Sequence, residues 1–176
     1  MAETEPLLID DFSQTDGRSQ LGPQWQGFSD RVMGGLSEME AGYRVDEPGP
    51  RLVLSGQVRL ENNGGFIQMR LPLSGRGTGF DASAWRGVQL TVRGKPGPYY
   101  VHLRSRDTGR PWQYYRARIE VNPEWRTQVL AFDQFEPQAL RRALDTSALT
   151  SLGIVAYGEA FDAEIEVARI EFIPNP

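Results

Sequence analysis

Arginine and aromatic residues recur at alternate positions of two neighbouring segments, the arrangement in this sequence best suited to holding a ligand. In Tyr99 to Arg106, strand alternation sends Val101 and Leu103 to one face and Tyr100, His102, Arg104 and Arg106 to the other. In Trp112 to Val121 it separates Tyr115, Ala117, Ile119 and Val121 from Trp112, Tyr114, Arg116 and Arg118. If Asp107-Thr108-Gly109-Arg110-Pro111 closes a hairpin, the two polar sets share a surface, and Arg70 and Arg93 extend it if their strands lie in that sheet. Guanidinium forks beside aromatic rings suit carboxylates, phosphates, sugars or an acidic partner segment. The alternative is a solvated face whose arginines pair with glutamates such as Glu120 and Glu61.

Catalytic groups are sparse. His102 is the one histidine, it falls mid-strand, and there is no cysteine, so a Ser/His/Asp triad or a multi-histidine zinc site lacks its parts. Asp10, Asp11, Asp30, Asp81 and Glu171 are available for two-carboxylate glycoside chemistry, but spare carboxylates are ordinary in a β protein. The expectation is a noncatalytic protein without cofactor or metal.

A second candidate is the run Ser29-Asp30-Arg31-Val32-Met33-Gly34-Gly35-Leu36-Ser37. Read as a recognition loop, Asp30, Arg31, Met33, Gly34, Gly35 and Ser37 are binding residues, with Asp30 an exposed acceptor and Ser37 a polar contact. Read structurally, the glycines permit positive φ, Asp30 and Ser37 satisfy turn amides, and Val32 and Met33 plug the end of the core.

The elements that must position these residues are short strands. Apolar and polar residues alternate in Met39 to Val45, in Leu52 to Leu60, in Phe66 to Leu73, and again around Val88, Val101, Ile119, Leu130, Ile154 and Ile165. Asn62-Asn63-Gly64-Gly65 reads as a hairpin turn. Ile165 and Val167 keep one phase, whereas Ile170 and Phe172 keep the other, so a β-bulge is expected near Ala168. Only Pro137 to Leu144 reads as a helix. With 176 residues, 39% hydrophobic and 24% charged, residues 1–176 are expected to form one domain. The predicted fold is an all-β sandwich of two antiparallel sheets, with Ile67, Met69, Val88, Leu90, Val101, Leu103, Ile119 and Ile154 buried between them.

A net charge of −4 argues against a nucleic-acid partner. Nearly all the positive charge is arginine, because Lys95 is the single lysine. The acidic start followed by a short apolar run predicts neither a signal peptide nor a membrane span, hence a cytoplasmic setting.

Asp30-Arg31-Val32-Met33-Gly34-Gly35, followed by Asn62-Asn63-Gly64-Gly65-Phe66 and Arg70, resembles the signature of the complex I intermediate-associated protein family. The resemblance continues through Trp85-Arg86-Gly87-Val88, Trp125, Val129-Leu130-Ala131-Phe132 and Leu152-Gly153-Ile154, and the chain looks like a bacterial member. It implies a galactose-binding-like jelly roll, no catalytic residues and, for mitochondrial members, a role in assembling respiratory complex I. The expected partner is therefore a protein, such as respiratory complex subunits or assembly intermediates. A carbohydrate-binding module is the alternative, with Trp112 and Tyr114 as its platform. Related jelly rolls hold a structural calcium near the first strand, where Asp10, Asp11 and Glu171 offer oxygen ligands.

Overall fold

The computed structural model describes residues 4–14, 16–74 and 78–175. Twelve strands follow in order: β1 (Leu7–Asp10), β2 (Gln26–Ser29), β3 (Glu40–Arg44), β4 (Arg51–Val58), β5 (Phe66–Pro72), β6 (Trp85–Gly94), β7 (Tyr99–Ser105), β8 (Tyr114–Ile119), β9 (Arg126–Ala131), β10 (Glu136–Gln138), β11 (Leu149–Tyr157) and β12 (Phe161–Pro174). They form two antiparallel sheets. The first runs β3-β4-β12-β6-β9, with β1 also on β12, and the second runs β10-β8-β7-β11-β5-β2.

Alternation along the strands builds the core between the sheets. Val88, Leu90 and Val92 of β6 and Ile165 and Val167 of β12 meet Ile67 and Leu71 of β5, Val101 and Leu103 of β7, and Ile119 of β8 in one buried cluster. The interior residues expected from the sequence are all buried. Burying each such side chain contributes on the order of 1.5 to 3 kcal/mol, so this cluster dominates the stabilisation. The sheets are also pinned across the core by the Tyr99 hydroxyl, which donates to the Glu164 carbonyl at 3.1 Å and accepts from its amide at 3.0 Å. The expected bulge is present, since the pairing of β12 with β6 shifts register between Val167 and Arg169.

Two local expectations are corrected. Asn62-Asn63-Gly64-Gly65 does not close a hairpin, because β4 pairs with β3 and β12 whereas β5 pairs with β11 and β2. The segment crosses between the sheets through a 3-10 turn, with Asn62 and Asn63 both in the left-handed region. Pro137 to Leu144 is not a helix. Its first residues form edge strand β10 against β8, and Ala139 turns the chain with φ 63°. The Arg142 and Ala143 carbonyls then accept from the Tyr115 hydroxyl at 2.9 and 3.3 Å, and Leu140 and Leu144 pack on the core as single anchors.

Candidate functional site

The second sheet's outer face carries the site. β7 and β8 pair as the expected hairpin, with His102 opposite Arg116 and Tyr100 opposite Arg118. Through β11 the row continues to β5, where Gly153 lies between His102 and Arg70. Arg70, His102 and Arg116 thus share one register row, and Arg104 lies two residues beyond His102 on the same face. Arg93 does not join them, since β6 lies in the first sheet.

Arg70, His102 and Arg104 line a groove of about 820 Å³, together with Phe28, Phe66, Gln68, Arg110, Trp112, Tyr114, Val155 and Tyr157, and Arg116 lies beside it in register with His102. Val32 and Met33 line it from the side of the glycine loop, and Trp112 from the turn before β8; they are 70%, 61% and 61% exposed. The inner end is aromatic. His102 stacks on Tyr114 with ring centroids 4.0 Å apart and planes 15° from parallel, and Tyr157 meets both edge-on.

Guanidinium groups lie against these rings. Arg70 Cζ is 4.4 Å from the Phe28 centroid, Arg116 Cζ is 4.9 Å from that of Tyr100, and Arg104 Nη2 donates to the Pro111 carbonyl. Among the described residues none of Arg70, Arg104 and Arg116 forms a salt bridge. Burial, with the Arg104 charge beside it, pushes the Arg70 pKa down to about 10, and burial also lowers that of Arg104. Burial, reinforced by the charges of Arg104, Arg116 and Arg70, pushes His102 down to about 3. The imidazole is neutral at physiological pH, and its buried Nε2 has no hydrogen-bond partner among the described residues. Burial and the neighbouring Tyr157 hydroxyl push the Tyr114 phenol well up, so it stays protonated and able to donate.

The glycine loop is a different object. Asp30 is fully buried, not an exposed acceptor. It accepts from the Ser37 amide at 3.0 Å, the Ser37 hydroxyl at 2.5 Å, and the Gly65 and Phe66 amides at 2.6 and 3.3 Å. Burial by itself raises a carboxyl pKa, but these donors outweigh it and hold Asp30 below the usual carboxylate range. Ser37 is likewise buried and bridges to Arg59. Neither side chain reaches solvent.

The two glycine pairs are explained by this clasp. A Cβ on Gly35 would lie 2.5 Å from Asp30 Cγ, and one on Gly64 2.4 Å from Asp30 Oδ2. Gly34 ends the 3-10 turn Asp30–Met33 in the left-handed region at φ 88°, and its carbonyl accepts from Asn62 Nδ2 at 3.1 Å. Arg31 closes the same loop by donating from Nε to the Ser37 carbonyl at 2.8 Å. Val32 and Met33 do not plug the core. With Asp30 and Ser37 turned inward, the 3-10 turn presents them outward to the groove.

Of the residues expected from the sequence, the groove brings together Met33, Arg70, His102, Arg104, Trp112 and Tyr114, whereas Arg116 lies beside it in register with His102. It excludes Asp30, Gly35 and Ser37 as ligand contacts, and uses Arg31 and Gly34 to shape the loop. Phe28, Gln68 and Tyr157 are groove residues not anticipated. Gln68 sits two residues before Arg70 and so in the same phase, a signal that was present; Phe28 gave none.

A calcium site at the first strand does not fit. Asp10 is buried with Oδ1 bonded to the Phe12 amide and Oδ2 to Trp25 Nε1, both at 2.8 Å. Asp11 accepts from Ser13, and Glu171 from Gln89. Among the described residues no group of three His, Cys, Asp or Glu side chains is arranged to hold a metal ion. No helix there is long and apolar enough to cross a membrane.

In comparisons with known proteins, the family 11 carbohydrate-binding module of cellulase Lic26A-Cel5E from Clostridium thermocellum has a TM-score of 0.77 at 15% identity, covering 99% of this chain and 97% of that one. A structure of the Clostridium thermocellum family 11 module in complex with a β-1,3-1,4-mixed-linked tetrasaccharide has a TM-score of 0.74 at 14% identity, over 98% of both chains. A family 30 carbohydrate-binding module has a TM-score of 0.65 at 16% identity, covering 97% of this chain and 89% of that one. The TM-scores show a shared jelly-roll fold, and at these identities they show the fold alone. The comparison with curated proteins by sequence found no match. The model of the family described as Complex I intermediate-associated protein 30 matches residues 11–167, which takes in the Asp30 clasp and every residue of the groove, and the chain belongs to that family.

Proposed function

We propose that the chain is a noncatalytic, assembly-factor-like binding domain that works by holding a protein partner in the groove of its second sheet. One observation carries this reading: Arg70 and Arg104 line an aromatic groove, Arg116 lies beside it in register with His102, and none of the three forms a salt bridge among the described residues, next to the exposed Val32, Met33 and Trp112. Desolvated arginines and large exposed apolar side chains are the groups that anchor protein interfaces. The family match supports the same reading, and the cytoplasmic setting expected from the sequence is kept as part of the proposal. Respiratory complex subunits or assembly intermediates are the first partners to test.

A glycan is the second reading. It is favoured by the Tyr114, Tyr157 and Trp112 rings in the groove and by the jelly roll shared with modules such as the one solved with a tetrasaccharide. The test is capture of purified candidate subunits by the immobilised chain, alongside a glycan array, with the parent and with Arg104→Ala/Arg116→Ala. The double variant should keep its fold and lose about tenfold or more in partner affinity, corresponding to roughly 1 to 3 kcal/mol for charge-assisted contacts. Equal capture by parent and variant removes the groove from the account. Array binding without subunit capture favours the glycan.

A further inference from the structure

We infer that the groove is a multivalent carboxylate site and that its occupant is an extended polypeptide segment carrying at least two Asp or Glu side chains. The inference rests on the protein-partner reading above and names the chemistry of the partner.

Charge comes first. Arg70, Arg104 and Arg110 line the groove and Arg116 lies beside it, and among the described residues the only carboxylate directly across a strand pair from them is Glu136, opposite Arg116 on edge strand β10. Glu136 forms no ion pair with Arg116 among the described residues. Asp30, behind the groove wall, is spent on Ser37, Gly65 and Phe66. Like charges gathered in partly buried positions raise the free energy of the empty groove, and an anionic occupant relieves that cost.

Geometry selects carboxylate. Arg70 and Arg116 each hold the guanidinium carbon over a ring, Phe28 and Tyr100, and among the described residues neither side chain forms a salt bridge, so their N–H groups can meet a two-oxygen acceptor. His102, held neutral, adds no further positive charge, and the protonated Tyr114 adds a donor.

Spacing leaves room for more than one carboxylate and suits an extended chain. Arg116, His102, Gly153 and Arg70 occupy four successive strands in register, so the two outer backbones lie roughly 14 Å apart at about 4.8 Å per strand. A separation of that size gives each end room for its own carboxylate. A strand-like segment rises about 3.3 Å per residue and sends alternate side chains to one side, so acidic residues an even number apart can face the arginines together. Gly153 puts no side chain of its own in the middle of the row, and the position a Cβ would take lies 2.7 Å from Gln68 Oε1, so a crossing segment meets the Gln68 amide there.

The test is selection of a displayed library of randomised short peptides on the immobilised full chain, followed by affinity measurement of the best peptide and its counterpart with Gln at every acidic position. Expected are enrichment of sequences with two or more Asp or Glu residues, at least tenfold weaker binding of the Gln counterpart, and a similar loss for Arg70→Gln and for Arg104→Gln at unchanged melting temperature. Selection of apolar peptides without acidic residues overturns the carboxylate inference and leaves the protein-partner reading standing. Failure to select any peptide, with a neutral oligosaccharide bound instead, overturns both. Binding of a uronate oligosaccharide in place of every peptide also overturns the inference, because it moves the carboxylates onto a sugar.

Discussion

Arginine is used in opposite ways on the two sheets. On the first, Arg51 is buried and Arg93 half-buried, and both donate to Glu166, Nε to Oε1 and Nε to Oε2, each at 2.6 Å. Arg51 also meets Asp46 at 2.9 Å, and Arg93 lies against the Trp125 ring. Each charge of that network has an opposite one in contact. On the second sheet Arg70, Arg104 and Arg116 have rings and one another as neighbours, and no carboxylate within ion-pair distance among the described residues. The difference separates a network closed within the fold from a set of arginines that the proposed function assigns to a partner, and it separates them by partner count, which residue type alone does not reveal.

The largest effect should come from breaking the satisfied network. Glu166→Ala leaves Arg51 buried with only the rim carboxylate of Asp46, and loss of one partner of a buried ion pair costs on the order of 3 kcal/mol. For a chain of this size that is a fall in melting temperature of about 6 to 12 °C, read by calorimetry. A fall as large in Arg104→Gln would erase the distinction between the sheets.

Asp30→Ala sharpens the comparison at the loop that walls the groove. It strands the Ser37, Gly65 and Phe66 amides, at a cost of about 2 to 3 kcal/mol by urea denaturation. It should also weaken partner binding, because Val32 and Met33 are held outward by that clasp. Unchanged stability would show that Asp30 does not hold the loops together.

Acidification tests whether the groove's positive field is real. His102 has a folded pKa pushed down to about 3 from an ordinary 6.5, so below pH 6.5 the unfolded chain binds a proton that the folded chain does not. Stability therefore falls as pH drops through that window. Asp30 and Glu166, whose pKa values are lowered from 3.8 and 4.5, add their own loss only at more acidic pH. Between pH 6.5 and 5 the parent should lose roughly 1 to 2 kcal/mol, and His102→Gln should lose much less. Equal slopes for the two proteins would mean that the imidazole is not shielded.

Much of the fold was legible because burial imposes a period. The interior positions from Ile67 to Ile154 and the phase change at Ala168 follow from alternation alone, which the two-sheet core enforces. Asn62-Asn63-Gly64-Gly65 misled because left-handed asparagines suit a hairpin and a sheet crossover equally. Pro137 to Leu144 misled because leucines one turn apart match a helix until Tyr115 claims the intervening carbonyls. At the site, the hairpin logic brought His102, Arg104, Tyr114 and Arg116 together. The conspicuous Asp-Arg-Val-Met-Gly-Gly motif proved to be a buried clasp, since a motif dense in glycine also records where backbone and carboxylate crowd each other. Which arginines lack a partner was not readable, because ion pairing depends on residues distant in sequence, as Arg51 and Glu166 illustrate.

The most direct measurement is the arginine Nε–Hε region of the nitrogen-15 NMR spectrum during titration with penta-glutamate. The account predicts that the signals of Arg70, Arg104 and Arg116 move together and saturate, while those of Arg51 and Arg93 stay in place. Stationary signals for the three groove arginines, or equal movement of every arginine in the chain, would contradict it.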